Sequence, residues 1–218
     1  MAVRWYLAYS LSYRDIEELM LERGVPVDHS TLNRWVIQYA PLLETAFRKK
    51  HKKRVGVSWR MNETYVKIKG VWHYLYRAVD KLGNTIDFML SKNRDKKAAK
   101  RFFAKSIGTH GLPEKVTIDK SGSNKSALKT MNLLLALWSI LSGIFVTVFV
   151  RDTKYLNNIV EQDHRGIKRI IKPMMGFKSF KSAQATLTGI ELHRMLKKGQ
   201  YKNPGNMTAF EQFYALAG

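Results

Sequence analysis

Three strand-like runs follow one another between residues 55 and 91, and they constrain the fold more than any other feature. In chain order the runs are VSWRMNETYVKIKG, VWHYLYRAVDK and TIDFMLS, in which β-branched and aromatic residues recur. Lys69-Gly70 separates the first two runs, and the turn-forming segment DKLGN separates the second from the third. Connections this short join antiparallel neighbours. The runs therefore predict a three-stranded antiparallel meander.

Helix and strand patterns alternate after this meander. RDKKAAKRFFAKSIGTHG predicts an amphipathic helix, PEKVTID predicts a short strand that stops at Asp119, and NKSALKTMNLLLALWSIL predicts a further helix. IFVTVFV predicts the next strand, and two long helices follow over residues 155–173 and 179–198. Three antiparallel strands followed by α-β-α-β-α is the order of the ribonuclease-H-like α/β fold, a mixed sheet flanked by helices. We expect this core to span residues 55–200.

The segment MNLLLALWSILSGIFVTVFV, residues 131–150, is long and apolar enough to be taken for a transmembrane helix. The alternative is a buried helix, a break at Ser142-Gly143 and a buried strand. We favour the alternative, because helix formers precede the break and the β-branched run after it suits a central strand. No membrane partner is therefore predicted.

Two helical patterns precede the sheet. Residues 13–23 carry an apolar face, Gly24 and Pro26 break the helix, and a second helix starts with Ser30 as the expected N-cap. Pro41 is expected to end this second helix. Its expected buried stripe comprises Leu32, Trp35, Val36 and Tyr39.

Two helices around a tight connection, the second led by polar residues, describe a helix-turn-helix DNA-binding domain in residues 1–47. AVRWYLAYS supplies only a short piece of a preceding helix, so we expect this domain to be truncated at its N-terminus. RKKHKKR, residues 48–54, is predicted to be a basic linker, and residues 201–218 a C-terminal tail. The residues of the second helix that we expect to contact DNA are Ser30, Thr31, Asn33 and Arg34.

The charge balance indicates the partner. The chain has 38 Lys and Arg against 17 Asp and Glu, a formal net charge of +21. A field this positive attracts polyanions, and nucleic acid is the first candidate. The chain has no cysteine, which excludes disulfides, thiolate chemistry and cysteine-type zinc sites.

Three positions could meet at one edge of the predicted sheet. Asn62 lies in the first strand, Asp119 at the end of the fourth, and Glu161 in the helix after the fifth. A cluster of carboxylate oxygens can hold the two Mg²⁺ ions that clamp an in-line phosphoryl displacement. Acidic residues end strands routinely, so these positions alone are a weak indication.

The helix that carries Glu161 strengthens the indication. Arg165, Lys168 and Lys172 follow Glu161 at spacings of three and four, so they share one helical face. Such a stripe could be a stabilising surface, or a metal ligand with phosphate-holding neighbours. We favour the second interpretation because the chain has so few acidic residues.

Three blocks of the chain resemble bacterial insertion-sequence transposases of the DDE type, in the group of insertion sequences six and twenty-six. They are NETYVKIKGVWHYLYRAVDKLGNTIDF, TIDKSGSN and KYLNNIVEQDHRGIKRIIKPMMGFKSF, within a similarity that runs from about Tyr6 to about Gln200. The resemblance implies an integrase-like catalytic core behind a helix-turn-helix. It also implies Mg²⁺-dependent cleavage of DNA at terminal inverted repeats, with transfer of the 3′ ends to target DNA.

Carried over by position, the catalytic and metal-binding triad falls on Asn62, Asp119 and Glu161. The resemblance further implies double-stranded DNA as the partner, a homo-oligomer assembled on that DNA, and a place in the bacterial cytoplasm with the nucleoid. Around the third member of the triad, the residues that we expect to contact DNA are Lys154, Asn157, Arg165, Lys168, Arg169 and Lys172.

Asn62 departs from the family pattern, which has an aspartate there. Asparagine keeps an oxygen that can bind a hard cation, but it is neutral, so a second Mg²⁺ should bind poorly. Glu63 should not replace it, because successive strand side chains point to opposite faces. The interval from Asp119 to Glu161 is also a few residues longer than the family pattern, within the apolar segment.

We therefore expect a transposase with impaired strand transfer. The alternative is a catalytically dead protein that binds inverted repeats and represses or poisons active copies. A ribonuclease-H-type nuclease acting on RNA–DNA hybrids shares the fold, but it has no need of a sequence-specific duplex reader.

Overall fold

The structure of the chain, a computed structural model, describes residues 1–119, 122–153 and 157–217. The strands are β1 Ser58–Ile68, β2 Val71–Asp80, β3 Thr85–Ser91, β4 Lys115–Ile118 and β5 Phe149–Asp152. The α-helices are α1 Ala2–Ala8, α2 Tyr13–Leu21, α3 His29–Ala46, α4 Lys96–His110, α5 Gly122–Ser142, α6 Asn158–Ile171, α7 Phe180–Lys197 and α8 Ala209–Ala215. A π-helical turn, Phe47–His51, follows α3.

The five strands form one mixed sheet in the order β3-β2-β1-β4-β5. Lys69 and Gly70, both with positive φ, make the two-residue turn between β1 and β2, a backbone that suits a tight hairpin. β2 and β3 pair antiparallel, whereas β4 pairs parallel with both β1 and β5. The predicted meander and the ribonuclease-H-like order of elements are confirmed.

The helices that flank the sheet begin and end where capping groups permit. The Asp95 carboxylate accepts a hydrogen bond from the backbone of Ala98 at the start of α4, and Gly111, with φ of 80°, ends that helix. Ser179 caps α7 in the same way. The apolar side chains that pack one face of the sheet against α4 and α5 include Trp59, Met61, Tyr76, Ala78, Phe102, Val116, Ile118 and Leu128.

The chain divides into two compact units. The first comprises Met1–Lys53, Lys67–Val71 and Arg165–Gly218, and the second comprises Arg54–Val66 and Trp72–His164. In the first unit, α3 packs along α7. Gly189 permits the close approach, because a Cβ atom there would lie 2.5 Å from Leu7 Cδ1 and 2.9 Å from Ala40 Cβ. Close packing of this kind leaves no room for a side chain.

The second helix of the predicted DNA-binding domain differs from expectation in three respects. Its N-cap is Asp28, not Ser30, because the Asp28 carboxylate accepts both the Ser30 and Thr31 backbone N–H groups. Tyr39 is exposed and not part of the buried stripe. Pro41 lies inside α3, which continues to Ala46 because Leu43 and the following Phe47 are buried.

The predicted linker and tail are also corrected. Half of the basic segment continues α3 as the π-helical turn, and Lys53 donates its backbone N–H to the Gln200 carbonyl at 2.9 Å. Tyr201 is buried and stacks on His51, with ring centroids 4.5 Å apart. Thr208 then starts α8 with a capping box. The last residues therefore fold onto the first unit.

The apolar segment of residues 131–150 is neither a membrane helix nor fully buried. Within the described residues, no helix is both long and apolar enough to span a membrane. The predicted strand IFVTVFV is wrong at its start, since β5 begins only at Phe149. β4 begins at Lys115, two residues after Pro113, so earlier residues have no strand with which to pair. The second half of α5 is exposed where a buried helix was predicted.

Candidate active site

The parallel register of β1 and β4 fixes the relation between Asn62 and Asp119. Met61 and Ile118 are the last paired residues, so Asn62 and Asp119 are the next residue on each strand. β4 ends at this level, whereas β1 continues to Ile68. Residues at matching positions of neighbouring strands point to the same face. The register therefore predicts that the Asn62 amide and the Asp119 carboxylate leave the sheet on the same face.

Helix α6 starts next to Asn62. Met61 points into the apolar core with α4 and α5, so alternation places Asn62 on the opposite face. The Asn157 side-chain amide, one residue before α6, donates to the Met61 carbonyl at 3.3 Å. Glu161 lies in the first turn of α6 and is exposed to solvent. The third predicted member of the triad thus lies on a helix whose start is tied to β1.

A buried ion pair holds α6 against the sheet. Arg77 of β2 donates from Nη2 to Asp163 Oδ2 at 2.6 Å, and both side chains are buried. Asp163 lies two residues after Glu161. Separating two buried charges would leave each one uncompensated in the protein interior, which costs free energy. The pair therefore holds this part of α6 in place against β2. An arginine within the strand VWHYLYRAVD is the signal from which this contact could have been inferred.

Glu63 faces away from Asn62, as predicted from strand alternation. Its Oε1 accepts a hydrogen bond from Asn124 Nδ2 of α5 at 3.0 Å and lies 3.6 Å from Arg94 Nε. The side chain is only 3% exposed. Burial raises the pKa of the Glu63 carboxyl, although Arg94 and Asn124 act in the opposite direction. Glu63 therefore joins β1 to α5 and cannot take the place of Asn62.

The donor set tests whether Mg²⁺ fits. Within the described part of the chain, no group of three or more His, Cys, Asp or Glu side chains could hold a metal ion. The predicted ligands are two carboxylates and one amide, and Asn62 Oδ1 already accepts the Glu63 backbone N–H at 2.8 Å. Carboxylate and amide oxygens are the kind of ligand that a hard cation binds. Two divalent ions do not fit these three ligands, because their charge is undercompensated.

The predicted DNA contacts on α3 lie at its exposed N-terminal end. The hydroxyls of Ser30 and Thr31 donate to Asp28, and Arg34 Nη2 donates to Thr31 Oγ1 at 2.7 Å. These bonds from Ser30 and Thr31 lower the pKa of the Asp28 carboxyl. Ser30 and Arg34 are exposed, whereas Thr31 and Asn33 are half-buried. Arg34 carries the positive charge of this set of four residues, and its side chain is exposed to solvent.

The predicted DNA contacts around α6 have three different outcomes. Asn157 is fully buried and donates to Met61, so the prediction that it contacts DNA is corrected. Lys154 lies outside the described residues. The remaining residues of the set are exposed on α6 or just after it, and they are Arg165, Lys168, Arg169 and Lys172.

Comparisons with known proteins identify the family of the chain. A family model described as a DDE domain matches residues 56–200. The transposase for insertion sequence-like element IS431mec from Staphylococcus aureus is 45% identical over 200 residues, covering 91% of this chain and 84% of that protein. The chain belongs to the DDE-domain transposases of insertion sequences. The transposase for insertion sequence element IS257 in transposon Tn4003, also from Staphylococcus aureus, is 44% identical to it over 200 residues, with the same coverage.

Solved structures show a more distant likeness to this transposase. The HTLV-2 integrase catalytic core domain in complex with magnesium is 15% identical, with a TM-score of 0.46, and the match covers 73% of this chain and 97% of that one. The simian T-cell lymphotropic virus intasome in complex with PP2A regulatory subunit B56 gamma is 14% identical, with a TM-score of 0.42, over 64% of this chain and 51% of that one. The fold assignment rests on the strand order of the transposase itself.

Proposed function

We propose that this transposase, within the group of insertion sequences six and twenty-six, binds the terminal inverted repeats of its element and carries out strand cleavage and transfer only weakly. The observation that supports impairment is the position of Asn62, beside Asp119 in the register of β1 and β4. A neutral amide stands where the family pattern has a carboxylate. The site acts on double-stranded bacterial DNA in the cytoplasm, at the nucleoid.

Asn62, Asp119 and Glu161 would hold Mg²⁺ through their side-chain oxygens. When bound, Mg²⁺ neutralises charge on the reacting phosphate and orients the attacking and leaving oxygens. The side chains of this chain would set the position of the ion, since Asn62 lies in β1, Asp119 directly follows β4 and Glu161 lies on α6. Losing one negative charge weakens this set most for the second ion.

DNA binding is proposed for the first unit. Its exposed cations include Arg34, Arg165, Lys168, Arg169 and Lys172, and the chain as a whole carries a net charge of +21. Phosphate contacts of this kind supply affinity that falls steeply with salt. Sequence selection is assigned to the helix-turn-helix of α2 and α3, with the polar start of α3 facing the bases.

A second candidate function is favoured by the same asparagine. A copy that binds inverted repeats without transferring strands would occupy the ends of active elements. Because we propose a homo-oligomer on DNA, such a copy would also enter mixed assemblies with active subunits and poison them. An asparagine at position 62 weakens strand transfer but leaves the DNA-binding residues of α3 and α6 unchanged. Such a copy would therefore bind repeats without transferring strands.

The decisive experiment is Mg²⁺-dependent strand transfer on terminal-repeat DNA, comparing the chain with its Asn62→Asp variant. We expect transfer to increase about 100-fold or more, the size of effect that one electrostatic group contributes at a reacting centre. Asn93→Asp adds the same charge at an exposed position and serves as the matched control. Asp119→Asn and Glu161→Gln in the Asn62→Asp background should each abolish the gain.

Binding is measured in parallel on repeat duplex, scrambled duplex and RNA–DNA hybrid. Strong transfer by the unaltered chain would contradict impairment by Asn62. Repeat binding without transfer in any variant would support the repressor and reject the proposed triad. Preference for the hybrid would instead support a ribonuclease-H-type nuclease.

A further inference from the structure

A large apolar surface covers the outer side of α5 and the segment that follows it. Leu141 is 87% exposed and Phe145 is 85% exposed, values that are rare for side chains of this size. Other residues of the same surface are about half to four-fifths exposed. We call this surface the apolar ridge, and it comprises Leu133, Leu134, Leu137, Trp138, Ile140, Leu141, Ile144 and Phe145.

The opposite side of α5 is the side that packs against the core of the second unit. Leu128 is fully buried there, and Met131 and Leu135 are partly buried against the same cluster. Residues three and four apart share a helical face, so Leu133, Leu137 and Ile140 lie on the other side. The helix is therefore apolar on both sides, and its own unit covers only one of them.

Side-chain hydrogen bonds give the apolar ridge a defined shape. The Asn132 side chain donates to the Val148 carbonyl at 2.8 Å and accepts the Val148 backbone N–H at 3.1 Å. The Ser139 hydroxyl accepts the Val146 backbone N–H at 3.0 Å. Val148 itself is buried in the core cluster. These bonds hold the segment of Ile144 and Phe145 back along α5, so helix and segment present one continuous face.

The area of the ridge is that of a protein interface. Aromatic side chains offer roughly 150–250 Å² each and Leu and Ile offer less, so the exposed fractions of the eight ridge residues correspond to on the order of 800 Å². The largest apolar patch on a typical monomer is about 300–600 Å². A stable complex buries about 800 Å² on each partner. The ridge is therefore larger than the apolar patch of a typical monomer, and it matches the area that one partner buries in a stable complex.

The chemistry of the ridge selects among partners. No ionisable residue occurs from Met131 to Val150, although the chain carries a net charge of +21. DNA needs cationic and hydrogen-bonding groups, which the ridge lacks. A helix lying in a membrane surface needs a cationic face opposite its apolar one, and here that opposite face is packed in the core. Two copies of so basic a chain can approach closely only where charge is absent.

We propose that the apolar ridge is the surface through which two copies of this chain associate, in a symmetric dimer that places ridge against ridge. One patch then serves both partners, as in the common twofold arrangement of soluble homo-oligomers. This inference deepens the assembly included in the proposed function and rests on it for its purpose. The contact itself requires neither DNA nor strand transfer.

The test is the mass of the full chain in solution without DNA, measured by sedimentation equilibrium over a range of concentrations. We expect twice the chain mass of 25.2 kDa. Leu141→Lys and Phe145→Lys place like charges across the interface and should each raise the dimer dissociation constant about 100-fold or more. Leu82→Lys is the matched control, since Leu82 is 84% exposed outside the ridge and its substitution should leave the dimer intact.

Pairing of opposite charges gives a second readout. Copies with Leu141→Lys mixed with copies carrying Leu141→Glu should form a heterodimer, whereas each alone stays monomeric. All variants should keep the thermal unfolding temperature of the monomer, because these side chains are exposed.

Four results would overturn the proposal. They are a single-chain mass at every concentration, open-ended aggregates without a defined mass, a dimer that the ridge variants leave unchanged, and binding of the ridge to vesicles of neutral lipid in preference to a second copy. Repeat binding and strand transfer are assayed separately on the same variants. A monomer that still binds repeats rejects the ridge contact alone, whereas a dimer that binds no repeats rejects the DNA function alone.

Discussion

Helices α5 and α6 each follow a strand that ends beside the candidate active site, but they are held in different ways. α6 is fixed by buried polar contacts, namely Asn157 to the Met61 carbonyl and the Arg77–Asp163 ion pair. α5 has a comparable contact in the Asn124–Glu63 hydrogen bond, and an ion pair of Lys125 with Asp152 that is largely exposed. Its second half packs against the core on one side only, and the side chains of Asn132 and Ser139 tie it to the segment that follows.

The difference teaches that apolar composition and burial are separate properties. The α6 sequence is rich in charge, yet buried polar contacts anchor it to the sheet. The α5 sequence is almost free of charge towards its end, yet its outer side is exposed. A specific polar partner fixes one position of a helix, whereas apolar residues pack against whichever surface is available. Three sets of substitutions examine this contrast, from the largest expected effect to the smallest.

Removing one member of the buried pair should have the largest effect on stability. Arg77→Met leaves Asp163 charged and buried, which is expected to cost about 3–5 kcal/mol in the free energy of unfolding. The double variant Arg77→Met with Asp163→Leu should recover most of that loss. Lys125→Met is the control on α5, where Lys125 is 66% exposed and the pair should contribute at most about 1 kcal/mol. Urea unfolding measures the free energy of unfolding of the unaltered chain and of the three variants. Equal losses for Arg77→Met and Lys125→Met would contradict the difference between α5 and α6.

Truncating α5 on its two sides separates its packed face from its exposed one. Leu128→Ala creates a cavity in the core and should cost about 2–5 kcal/mol. Leu141→Ala should change stability by no more than about 0.5 kcal/mol when the chain is dilute. The measurement is urea unfolding at low concentration, repeated at high concentration. A concentration-dependent cost for Leu141→Ala alone would support association through the ridge, and a large cost at every dilution would contradict its exposure.

The contact that anchors the start of α5 should make stability depend weakly on pH. Burial raises the pKa of Glu63 above its ordinary value of 4.5, so the folded chain takes up a proton at a higher pH than the unfolded chain does. The stabilisation from this group is therefore complete below pH 4.5 and is lost as pH rises through the folded pKa. Glu63→Gln should flatten this part of the profile, whereas Glu114→Gln, at an exposed position, should not. If the free energy of unfolding depended on pH in the same way in the Glu63→Gln and Glu114→Gln variants, the result would contradict the burial of Glu63.

The order of elements could be predicted because it depends on local patterns. β1, β2 and β3 have the alternation and turn residues of strands, and their bounds follow from them. The residues 144–148 could not be predicted in the same way. Their β-branched side chains suit a strand, but β4 is too short to pair with them, and side chains of Asn132 and Ser139 bind their backbone instead. The strand preference of these residues was overridden because, within the described residues, no neighbouring strand was there to pair with them.

The predicted triad stays a prediction, although the strand order on which it is based is the one observed. The parallel pairing of β1 with β4 gives Asn62 and Asp119 matching places in the register, each one residue beyond the last pair. The burial of Asn157 depends on where α6 meets β1, which spacing along the chain does not specify. Asp28 displaced Ser30 as N-cap because both are good capping residues, and only the backbone geometry decides between them.

Asn62 and aspartate have side chains of nearly the same shape, so the strands and helix around this position would accept either residue without rearrangement. Asparagine and aspartate codons differ only in their first base. Under the proposed assignment, a single transition in the gene would restore the missing carboxylate at this position. Inactivation of this kind is reversible in evolution, and a lineage that carries such a copy keeps a dormant transposase in its genome.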